Sequence, residues 1–144
     1  MVALMRFTGE LTEADFTALD SLAAEARGNG HAFDCIFDMT GVTQVDLSPE
    51  FVALRGELPQ AYPDRERIYV VGKGDLKLLT LFFAGYQARR EQREPLVVET
   101  LSEAMQRLGV ALSDFRPLHS EDRGAVKPAR SAASSRRRGA RRTP

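Results

Sequence analysis

The chain has 144 residues, of which 43% are apolar and 28% charged, the size and mix of one folded domain that needs no metal or disulfide staple. Cys35 is the single cysteine, which excludes an intramolecular disulfide and a cysteine-built zinc centre. The net charge of zero hides an asymmetry: residues 1–118 hold 12 Lys/Arg against 18 Asp/Glu, whereas residues 119–144 hold 8 against 2, so an acidic body carries a basic tail.

The run from Leu78 to Ala84 is far shorter than the ~20 apolar residues that span a bilayer, and the first residues lack the basic segment and apolar core of a signal peptide. A cytoplasmic protein without membrane insertion is expected.

In chain order, residues 2–7 read as a strand and residues 8–12 as a turn into a helix. Thr12 is its N-cap, with Asp15 three residues on. Phe16, Leu19, Leu22, Ala23 and Ala26 recur at helical spacing, and Gly28-Asn29-Gly30 ends the pattern. A second strand is expected over residues 33–39, with a loop through residues 40–46. Ser48-Pro49-Glu50 then opens a helix: a serine cap, a proline with no amide proton to leave unpaired, and an acid at the positive end of the dipole. Phe51, Leu54 and Leu58 supply its apolar stripe.

The β-branched run at residues 67–72 is the clearest strand. A helix over residues 75–91 follows, with Leu76, Leu79, Phe83, Tyr86 and Gln87 along one side, then a short strand at residues 94–99. Thr100 and Glu103 form a capping box for a last helix, which Gly109 closes. This alternation predicts an α/β domain over residues 1–117, with a four- to five-stranded, mostly parallel or mixed sheet and about four helices packed mainly on one face. Residues 118–144, rich in Arg, Ser and Ala, are too poor in large apolar side chains to offset their ordering entropy, and disorder is expected there.

Active-site signatures are sparse. His31 follows a glycine turn and His119 heads the tail, so neither reads as a member of a catalytic triad. Gly72-Lys73-Gly74 lacks the spacer and the Lys-Ser/Thr ending of a phosphate loop. Asp34, Asp38 and Asp46 have no histidine partners. No catalytic residue, metal or cofactor is therefore assigned. The informative stretch is residues 38–53, which delivers Asp46 and Ser48 to a helix N-terminus where unpaired amides favour an anion. Ser48 reads there either as a simple cap or as a phosphoacceptor.

Gly9-Glu10-Leu11 before an amphipathic helix, Asp38-Met39-Thr40-Gly41-Val42-Thr43 and Val45-Asp46 before a second, and the closing Thr100-Leu101-Ser102-Glu103-Ala104 together resemble the STAS domain. That family comprises bacterial anti-sigma factor antagonists and the tails of sulphate transporters. The resemblance covers roughly residues 2–110. It implies a non-enzymatic regulatory module whose partner is a protein, an anti-sigma kinase or another regulator. In the antagonists, a serine after the Asp of an Asp-Ser-Ser-Gly motif is phosphorylated to release the kinase. Laid on this chain, Asp46 matches the Asp, Leu47 fills the acceptor position, Ser48 matches the second serine, and Pro49 replaces the glycine.

Asp46, Leu47, Ser48, Glu50, Phe51 and Arg55 are thus the expected partner contacts, with Ser48 the candidate phosphoacceptor and Thr40 and Thr43 lesser substitutes. Two alternatives stand beside this reading. Arg136, Arg137, Arg138, Arg141 and Arg142 in the tail suit salt-sensitive nucleic-acid binding, and the carboxyl end of the strand at Val71 suits a small ligand.

Overall fold

A computed structural model describes residues 1–116. Four strands and four helices alternate: β1 (Val2–Thr12), α1 (Glu13–Gly28), β2 (Asp34–Asp46), α2 (Pro49–Glu57), β3 (Arg67–Val70), α3 (Asp75–Arg89), β4 (Leu96–Val98) and α4 (Leu101–Leu108), with a short 3-10 turn, Leu112–Asp114, after them. The strands lie side by side in chain order, and all three pairings are parallel. The sheet is therefore wholly parallel, the simplest form of the expected architecture. The tail beyond residue 116, including the five arginines and the expected disorder, lies outside the described residues.

Side chains alternate across each strand. On one face Leu11, Met39, Tyr69 and Val71 form a buried cluster, joined by Phe16 of α1 and Leu76 and Phe83 of α3. On the other, Ile36, Ile68 and Val70 pack with Ala104 of α4, flanked by Leu101, Met105 and Leu108. Both faces are thus covered, as a parallel sheet requires: among the described residues α1 and α3 lie on one side and α4 on the other.

The helix boundaries follow from their caps. The Asp15 carboxylate accepts from Thr12 N at 2.8 Å and Oγ1 at 3.0 Å. Thr100 Oγ1 accepts from Glu103 N at 3.2 Å, while the Glu103 carboxylate accepts from Thr100 N at 3.2 Å. Gly109 ends α4 at φ 65°, a left-handed angle that suits glycine.

The first two strands depart from expectation. Neither stops where the glycines stand: β1 continues through Gly9 and β2 through Gly41, and the segments read as turn and loop pair with each other from Thr8↔Gly41 to Thr12↔Asp46. The register slips between Arg6 and Thr8 and again between Gly9 and Glu10. Gly9 sits at φ 76°, and a Cβ on Gly41 would lie 2.9 Å from the Phe7 carbonyl oxygen. These glycines mark bulges within a continuing pair, not breaks in it.

Candidate functional site

The extension of β2 carries the chain to Asp46, beside Thr12 at the carboxyl end of the sheet, and residues 47–48 then turn into α2. Leu47 points inward, packing with the cluster of Leu11, Met39, Tyr69 and Val71. The position at which a phosphoacceptor was expected is thus an anchor for the loop. Ser48 follows in extended conformation, and its Oγ accepts from Phe51 N at 3.1 Å, fixing the first turn of α2.

Further along, the helix is held from behind. Phe51 meets Phe16 of α1 edge-on, with centroids 5.6 Å apart. Val52 is buried, and Gly56 packs against Phe83 and Tyr86 of α3. Arg55 forks onto Asp20 of α1, with Nη1–Oδ2 at 2.5 Å and Nη2–Oδ1 at 2.8 Å. Its guanidinium also lies 5.5 Å from the Phe16 ring centre. Of the six expected contacts, Leu47, Phe51 and Arg55 therefore frame the loop and helix, while Asp46, Ser48 and Glu50 are exposed.

The outer face of α2 differs from its expected stripe. Leu54 is 57% exposed, and Leu58, just past the helix, is 42% exposed. The buried positions are Val52 and Gly56, one of which has no side chain to reveal the pattern. Glu57, close by, pairs with Arg90 beyond α3 at 3.3 Å. A loop and helix fixed on the inside thus present Asp46, Ser48, Glu50, Leu54 and Leu58 to the outside.

Beneath α2, a cavity of about 40 Å³ is lined by Leu11, Phe16, Met39, Leu47 and Phe51, among other mostly apolar side chains. It has room for a few water molecules, against the ~300–1,000 Å³ of ordinary ligand pockets. Gly72, Lys73 and Gly74 are exposed and lie outside it. Gly74 takes φ 114° at the start of α3.

The aspartates singled out in the sequence lie in separate settings. Asp34 accepts from Glu66 N at 2.9 Å, Asp38 is buried beside Arg6 and Thr40, and Asp46 is exposed. Among the described residues no three His, Cys, Asp or Glu side chains converge as a metal site would require. His31 is exposed and packs edge-on against Phe33, with centroids 6.0 Å apart. Thr40 turns its hydroxyl onto the Asp38 carboxylate at 2.6 Å, and Thr43 is exposed.

Burial displaces three ionisable groups on the sheet, lowering the Arg67 guanidinium and raising Cys35 and Tyr69. Desolvation pushes the Cys35 thiol from 9.0 to about 11, reinforced by Asp34 and opposed by Arg67. It also pushes the Tyr69 hydroxyl from 10.0 to about 12, with Arg67 opposing. Both side chains stay neutral in the folded domain at neutral pH. Among the described residues, no helix is long and apolar enough to cross a membrane. The chain matches no protein-family model, no curated protein and no solved structure.

Proposed function

We propose that the protein is a regulatory module that binds a partner protein through residues 46–48 and the outer face of α2, in the manner the STAS resemblance implies. The observation that carries this reading is the exposure of Leu54 and Leu58, 57% and 42%, on a segment whose inner side is fixed by Leu47, Val52 and the Arg55–Asp20 fork. An apolar pair bordered by Asp46, Glu50 and Glu57 suits a contact whose centre is apolar and whose rim is charged.

Ser48 adds a means of control. A phosphate there would sit at the positive dipole end of α2, beside the Phe51 amide that Ser48 Oγ caps, so the helix tolerates it. The same phosphate would add about −2 charge between Asp46 and Glu50, changing the surface that a partner reads. Photo-crosslinking in the source cells tests this, with the reactive side chain at Leu54 and, as a control on the opposite layer, at Gln106 of α4. One discrete protein adduct at position 54, missing at 106 and diminished by Ser48→Asp, is the expected result. No adduct at 54, or the same adducts at both positions, would overturn the reading.

A further inference from the structure

Helix α3 carries no charged residue from Leu78 through Ala88. Its inner side buries Thr80, Ala84 and Gln87, yet its outer side is apolar too: Leu78 is 57% exposed, Leu81 49% and Phe82 64%. A helix apolar all round is ordinarily covered all round, and clustered exposed side chains of this size mark contact surfaces.

The order of residues on that outer side identifies the occupant. Asp75, Leu78, Phe82, Gly85 and Arg89 follow one another at alternating spacings of three and four, the heptad pattern of a helix that packs on another helix. All five are exposed. One end of the stripe is acidic and the other basic, with Phe82 midway between Asp75 and Arg89. The other nearby cation of the helix, Lys77, is engaged with Glu99 at 2.7 Å, whereas the Arg89 guanidinium lies over the Tyr86 ring, 5.6 Å from its centre.

We propose that a second copy of this chain covers the stripe, with the two α3 helices antiparallel and related by a two-fold axis at Phe82. Each Asp75 then lies at the Arg89 end of the partner helix, both helix dipoles oppose, Phe82 of each copy lies against Phe82 of the other, and Leu78 of each lies over Gly85 of the other. A parallel pair would instead set Asp75 against Asp75. Gly85 lets the helices approach closely, since no side chain intervenes there. This contact is made by α3 and uses neither residues 46–48 nor Leu54 and Leu58, so it is argued from different residues than the partner reading above.

Sedimentation equilibrium of the full chain tests it. The native protein should sediment as a concentration-dependent dimer. Phe82→Asp should be monomeric over the same range with the circular dichroism of the native chain, because the side chain is exposed in the protomer. Asp75→Arg or Arg89→Asp alone turns two attractive pairs repulsive and should weaken the dimer about tenfold, and combining them should recover most of the loss. A native chain that stays monomeric at 200 µM, a dimer that survives Phe82→Asp, or a double exchange no tighter than the single ones would each overturn the proposal.

Discussion

Gly56 of α2 lies so close to Tyr86 of α3 that a Cβ on the glycine would stand 2.4 Å from the tyrosine Cβ and 3.2 Å from the Phe83 carbonyl oxygen. Both nearest obstacles lie on or next to the backbone of α3, so no swing of a flexible side chain can make room. Gly56→Ala should therefore push the helices apart despite the better helix propensity of alanine, costing about 1–3 kcal/mol as overpacking does. Urea unfolding would measure it. Gly28→Ala is the control, because nothing lies within 4 Å of a Cβ there, and its stability should hold or rise slightly.

The same helix allows the cap and the proposed phosphate switch to be separated. Ser48→Ala removes the acceptor for Phe51 N and should lower stability by about 1 kcal/mol. Ser48→Asp keeps an acceptor at the cap and adds favourable charge near the dipole, so its stability should equal the native value. Any loss of crosslinking in Ser48→Asp then reports the surface and not unfolding. Equal unfolding midpoints for Ser48→Ala and the native chain would show that the cap bond contributes little.

Strong local chemistry made some elements legible in the sequence. The β-branched run became β3, and the reciprocal pair of Thr100 and Glu103 opened α4. The first sheet pairing was not legible, because Gly9 and Gly41 carry the same signal whether a chain turns or bulges, and only the neighbouring strand decides. In α2, Leu54 and Leu58 continue the spacing from Phe51 and imitate a buried stripe, while the inner face holds Phe51, Val52 and a glycine that leaves no trace in hydrophobic spacing. Of the candidate site, Ser48 as cap was readable from Ser-Pro-Glu. The inward turn of Leu47 and the tie from Arg55 to Asp20, 35 residues apart, depend on how α1 lies beside α2.

Asp38, 6% exposed, accepts from Thr40 Oγ1 at 2.6 Å and Thr40 N at 3.1 Å, and it pairs with Arg6 Nε at 3.4 Å. The arrangement is unequal, since the Arg6 side chain is 52% exposed and water can replace its partner. Asp38→Ala leaves the Thr40 amide and hydroxyl without their acceptor and should cost about 1–3 kcal/mol. Thr40→Val, which removes the hydroxyl donor while keeping the shape, should cost less. Chemical unfolding of the two variants gives the order, and a Thr40→Val loss as large as that of Asp38→Ala would place the stabilisation in the hydroxyl instead of the carboxylate.

Alkaline pH tests the burial of Cys35 and Tyr69. Between pH 9 and 11 an unfolded chain has released the Cys35 thiol proton while the folded chain retains it. The folded state then binds more protons, so stability falls as pH rises. The contribution is fully present below pH 9 and is lost progressively toward pH 11, and by linkage amounts to roughly 3 kcal/mol. Tyr69, stacked on Phe37 with centroids 4.6 Å apart, adds a second loss from pH 10 to about 12. Urea midpoints at pH 8, 9, 10 and 10.5 should decline for the native chain and decline less steeply for Cys35→Ala, whatever that variant loses at pH 8. The thiol should also resist a disulfide reagent at pH 8 until urea unfolds the domain, at a rate that tracks the unfolding curve. Parallel pH profiles for the two chains, together with rapid labelling in the absence of urea, would show that Cys35 is open to solvent.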